Sequence, residues 1–136
     1  MEIDNKDNKN LINQYDDLIE DKYSYSIPKK EVTEQIVKSL VERIVKEEII
    51  NTEIQYELLE CMYKWSWFPC SEEYYEPLLN TLERITHPSN LVVALKIFVN
   101  SGKAIYLDLF QTYENNENCF IRDIAKEGIN HISSNE

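Results

Sequence analysis

The chain has 136 residues, 43% apolar and 29% charged, which is enough for one modest core and too apolar for wholesale disorder. Lys and Arg total 14 against 25 Asp and Glu, a net charge of −11, so nucleic-acid backbones and anionic membranes are repelled. Two glycines and four prolines leave too few turns for an all-β fold.

Residues 1–10 are polar and read as a flexible N-terminus, and residues 11–136 as a single helical domain. Leu11, Ile12, Tyr15, Leu18 and Ile19 recur at helical spacing, with Asp16, Asp17, Glu20 and Asp21 opposite. Tyr23–Pro28 reads as an extended link, because Pro28 disfavours helix at Ile27. The expectation is a cap helix that shields the first repeat unit. Lys30–Ile49 forms the next helix, with Val32, Ile36, Val37, Leu40, Ile44 and Val45 as its apolar stripe. Asn51 or Thr52 can cap a third helix carrying Ile54, Leu58, Cys61, Met62 and Trp65.

The connection from Trp65 to Glu76 is rich in aromatics and carboxylates. Trp65 is expected in the core, since large aromatics are mostly buried. Trp67, Phe68, Tyr74 and Tyr75 lie beside Pro69 and among Glu72, Glu73 and Glu76. Aromatics rimmed by charge are the composition of interface hot spots.

From Tyr75 to Ile129 one pattern occurs twice. Leu78, Leu79 and Leu82 recur as Leu109, Phe110 and Tyr113, an offset of 31 residues. Leu91, Leu95, Phe98 and Val99 recur as Ile121, Ala125, Gly128 and Ile129, an offset of 30. The same four positions fall on Ile54, Leu58, Cys61 and Met62 at an offset of 37, with the extra residues in the Trp65–Glu76 connection. Recurrence at such a period marks stacked helical units. Ser101-Gly102 should end the middle unit, and the helix over about Asn118–Ile132 should close the stack.

Pro77-Leu78-Leu79 in a first helix, then Ile121-Arg122, Ala125 and Gly128-Ile129 in a second, resembles a HEAT repeat. The resemblance spans roughly Lys30 to His131. It implies an all-α fold: a short α-solenoid of about three HEAT-like helix pairs behind an N-terminal cap helix. It implies no activity, because fold does not fix function. Solenoids bind along a row of second helices, which here offers Glu53, Glu57, Glu60, Asp123 and Glu127. The connection offers Trp67, Glu72, Glu73, Tyr74 and Tyr75 as the other candidate face.

Chemistry is not legible. Gly102 and Gly128 make no phosphate loop, and His87 and His131 have no metal-ligand spacing. Cys61, Cys70 and Cys119 form no C-x-x-C pair. Adjacent carboxylates such as Glu72-Glu73 diverge by about 100° on a helix. No catalytic residue, metal or cofactor is expected. Met1–Asp7 is polar, without an apolar signal region, and no apolar run reaches membrane length, so a reduced, cytoplasmic protein is expected.

Size, charge and helical class together look like the small acidic immunity proteins of bacterial toxin systems. That similarity implies a monomer or weak homodimer that occludes a basic protein, such as a toxin nuclease domain. The alternative is an adaptor or assembly subunit that uses the solenoid for scaffolding. A DNA-binding role ranks last, because no lysine or arginine stripe is present.

Overall fold

Residues 5–20, 28–47 and 51–134 are described by the computed structural model, and they are all-helical, with no strand among them. The helices are α1 Asn5–Glu20, α2 Lys30–Glu47, α3 Thr52–Trp65, α4 Glu76–Thr81, α5 Pro88–Ser101, α6 Leu107–Tyr113 and α7 Cys119–Ser134. Short 3-10 turns at Glu72–Tyr74, Leu82–Arg84 and Ala104–Tyr106 precede or follow the two shortest helices. Most of the expected Tyr23–Pro28 link, and the end of the expected Lys30–Ile49 helix, lie outside the described residues.

Local chemistry sets the boundaries. Asn51 stands in extended backbone, and its Oδ1 accepts the N–H groups of Glu53 at 3.0 Å and Ile54 at 3.1 Å, opening α3. Asn118 opens α7 the same way, accepting from Phe120 at 2.9 Å and Ile121 at 3.3 Å. Pro77 and Pro88 sit in first turns, where a missing N–H costs nothing. Gly102 ends α5 in the left-handed region, at φ 60°, and donates its N–H to the Val99 carbonyl.

The long helices pack in sequence order. α1 and α5 both pack on α3, and α7 packs on α5. α2 covers α3, α4 packs on α2, and α6 covers α7. Ile54, Leu58, Cys61 and Met62 are buried in α3, as are Leu91, Leu95, Phe98 and Val99 in α5. In α7, Ile121, Ala125 and Gly128 are buried and Ile129 half-buried. The aligned positions of the three helices therefore face inward together.

Several expected details change. Residues 5–10 are helical, and Asn8 is buried with its Oδ1 accepting from Arg43 at 2.6 Å, so the fold begins before Leu11. Leu18 and Val32 point outward, and Thr33 takes the inward place expected of Val32. The offset of 31 fails on the short helices. Leu78 and Leu82 are fully buried, whereas Leu109 and Tyr113 are half-buried and Phe110 is fully buried. An offset of about 32 fits instead: it aligns the 3-10 turns at Glu72–Tyr74 and Ala104–Tyr106 and the fully buried Leu78 and Phe110.

Two buried details hold helices together. Asn90 of α5 donates to the Thr52 carbonyl at 3.0 Å and to Gln55 Oε1 at 2.8 Å, pinning the start of α3. Gly128 of α7 lets the Phe110 ring lie against the helix backbone: a Cβ there would stand 2.7 Å from three ring carbons. Gly128→Ala is expected to cost about 1–2 kcal/mol net, overpacking outweighing alanine's better helix propensity. A thermal melt should show a fall of several degrees, and Gly128→Val a larger one.

Candidate protein-docking surface

α3 has four sides. Cys61 and Lys64 face α1, where Lys64 pairs with Asp16 at 3.2 Å. Gln55 and Ser66 face α5, where they meet Asn90 and Asn100. Ile54, Leu58 and Trp65 lie in the core. The fourth side carries Glu53, Tyr56, Glu57 and Glu60, which steps of three and four residues bring onto one face, and it merges with the α1 side, since Tyr56, Glu57 and Glu60 line one groove with Lys9, Asp16 and Lys64. Tyr63 and Trp67 continue that stripe at the same spacing, their rings edge to face with centroids 6.0 Å apart.

The surface extends onto α5 and α7. A groove of about 460 Å³ spans the three helices, lined by Tyr56, Glu60, Val92, Lys96 and Phe120 among others. Phe120 is 71% exposed, a large apolar ring without a core role. Asp123 and Glu127 follow it by three and seven residues on α7 and are exposed on the same side. Lys96 reaches toward the Tyr63 ring, with Nζ 6.0 Å from the centroid. Tyr56 is hydrogen-bonded to Glu60. That bond, then the carboxylate charge, raises the Tyr56 hydroxyl above its ordinary pKa, so it stays a donor at neutral pH.

The structure thus brings Glu60 together with Tyr56, Val92, Lys96 and Phe120, leaves Glu53, Glu57, Asp123 and Glu127 exposed on the same helices, and sets Trp67 beyond Tyr63 at the end of α3. It separates the rest of the aromatic connection. Glu72 turns to Lys103, with an ion pair of 3.0 Å. Glu73 and Tyr74 line a different groove, beside Lys38, Val41 and Pro77 of α2 and α4. Tyr75 packs inward, edge-on to Phe98 at 6.3 Å. Tyr56 and Phe120 were findable: each lies three or four residues from an acidic residue already singled out.

The thiols and histidines have other duties. Burial pushes the Cys61 thiol far up, with Asp16 adding to the effect, and pushes Cys70 up to about 11. Neither is a thiolate nucleophile at neutral pH. His131 donates its Nδ1–H to the Val99 carbonyl at 2.7 Å, which fixes that ring as a tie between α7 and α5. Among the described residues no three His, Cys, Asp or Glu side chains are placed to hold a metal ion, and no helix is long and apolar enough to cross a membrane.

No family model, curated protein or solved structure matches this chain.

Proposed function

We propose that the chain is a non-enzymatic binding protein that occludes a basic protein partner, in the manner of an immunity or inhibitor protein neutralising a toxin such as a nuclease. In this reading the helices form a short solenoid behind α1, with α2–α3 and α6–α7 as packed HEAT-like pairs and α4, which packs on α2, as the short first helix of the middle unit with α5. One observation carries the proposal. The outward side of α3, α5 and α7 combines exposed aromatics, Tyr56, Trp67 and Phe120, with five carboxylates at helical spacing, on a chain of net charge −11. Apolar anchors supply affinity at such a surface, and the surrounding charges supply orientation and encounter rate.

The test is capture from cytoplasmic lysate of the source cell, at low and high salt. The native protein is compared with a triple variant, Glu53→Lys, Glu57→Lys and Glu60→Lys, and with Glu73→Lys on the other side. A basic protein retained by the native chain and by Glu73→Lys, but lost from the triple variant, is the expected result. Capture indifferent to the triple substitution removes the proposed surface. Self-association alone, with no basic partner, points to the adaptor reading.

A further inference from the structure

At the far end of α3 and α5 lies a second cavity, of about 410 Å³. It opens between the Trp65–Cys70 turn and the segment just after α5. Its walls are aromatic: Phe68, Tyr75, Phe98 and Tyr106 line it, with Trp67 at 63% exposure on the rim. The rings are held edge to face, Phe98 against Tyr106 at 4.9 Å and against Tyr75 at 6.3 Å. Phe98 and Tyr106 are buried by this packing and form a fixed floor, so the aromatic surface open to a planar guest is that of Phe68 and Trp67.

The charges are the unusual part. The chain carries 25 acidic residues and 14 basic ones, yet the charged side chains lining this cavity are two lysines, Lys30 and Lys103. Two carboxylates lie close to these lysines, Glu34 to Lys30 and Glu72 to Lys103, but neither lines the cavity. Glu34 accepts the Ser71 N–H at 3.1 Å, and Glu72 pairs with Lys103 from outside the cavity. That Lys103–Glu72 pair is exposed at both ends, and exposed pairs are weak enough to exchange partners. The hydroxyl of Tyr106 is pushed up to about 12 by burial and by Glu72, so it remains a donor. Donors and cations at the mouth of an aromatic chamber describe a site for an anion with a flat apolar body.

We propose that this cavity binds a small aromatic carboxylate, its ring against Phe68 and Trp67 over a floor of Phe98 and Tyr106, and its carboxylate on Lys103 and Lys30. The site goes beyond the docking surface, and either can fail alone. The cavity volume falls within the range of about 300–1,000 Å³ typical of small-molecule sites. Lys103 would exchange Glu72 for the ligand. This gives the proposal a signature in two opposite directions: loss of Lys103 weakens binding, and loss of the Glu72 charge strengthens it.

The experiment is a titration of the full chain with N-acetyl-phenylalanine and, separately, with its uncharged amide, read by tryptophan fluorescence. Trp67 lies on the rim and Trp65 packs edge-on to Phe68 at 5.6 Å, so occupancy perturbs both. Saturable binding of the acid is expected, with the amide about tenfold weaker, the effect of one lost charged hydrogen bond. Lys103→Met should weaken acid binding about fivefold or more, and Glu72→Gln should tighten it about two- to threefold, while neither alters the amide. Both positions are on the surface, and an unchanged thermal melt confirms that each variant is folded. Equal affinity for acid and amide overturns the anion assignment. Failure of Lys103→Met and Glu72→Gln to move in opposite directions overturns the assigned residues. No saturable signal up to about 10 mM of acid overturns the site.

Discussion

Trp65→Ala should lower the unfolding free energy by about 3–5 kcal/mol, most of the margin of a domain of this size. Trp65 is 0% exposed at the end of α3, and its ring sits edge to face with Phe68. Truncation loses the transfer energy of the largest buried side chain and leaves a void that packed neighbours fill only in part. A second feature makes the prediction specific. The indole Nε1–H is buried with no hydrogen-bond partner, a standing cost of about 1–3 kcal/mol. Trp65→Phe removes that orphan donor while keeping an aromatic plug, so its loss should stay within about 1.5 kcal/mol. Urea unfolding of the two variants checks both numbers. Equal losses would mean that the indole is satisfied or that the void collapses.

Reversal of the α3 carboxylates should act on a different quantity. With the captured partner in hand, Glu53→Lys, Glu57→Lys and Glu60→Lys together are expected to slow association about 10- to 10³-fold at low salt. The gap should close as salt rises, because charges at a rim act over about one Debye length, roughly 8 Å at physiological ionic strength. Dissociation should change less. Tyr56→Ala and Phe120→Ala should do the reverse, leaving association near normal and speeding dissociation, each by about 2 kcal/mol or some 30-fold. Phe120 is largely exposed, so its removal should cost the fold within about 0.5 kcal/mol. Stopped-flow kinetics at two salt concentrations separate the two classes. Charge reversal that left the rate untouched at low salt would place the interface elsewhere.

The helices were legible because their signals are local. Asn51, Pro88, Gly102 and Asn118 act within one turn of themselves, and the inward positions of α2, α3, α5 and α7 repeat every three or four residues. The spacing of Trp65 to Cys61 and Met62 predicts a core position, and all three are buried. The outward surface was harder to read. Glu53, Glu57, Glu60, Asp123 and Glu127 are expected outward from their place on second helices, and the structure leaves Glu60 half-buried and the other four exposed. Phe120 was missed because it precedes the run that defines α7, and Tyr56 because it interrupts an acidic stretch. The aromatic connection misled for a physical reason. Pro69 and the 3-10 turn at Glu72–Tyr74 send neighbouring residues in different directions, so adjacency from Trp67 to Tyr75 does not produce one patch. Neither the register of the short helices nor the lysine-lined cavity leaves a periodic mark, since both depend on residues far apart in sequence, such as Lys30 beside Lys103.

Amide hydrogen exchange of the chain, alone and with its captured partner, tests the central claim most directly. Binding along α3, α5 and α7 predicts slowed exchange over Glu53–Glu60, Ser89–Lys96 and Phe120–Glu127, with Lys38–Glu42 and Glu73–Pro77 unchanged. Protection confined to those last two segments, on the α2 and α4 side, would contradict it.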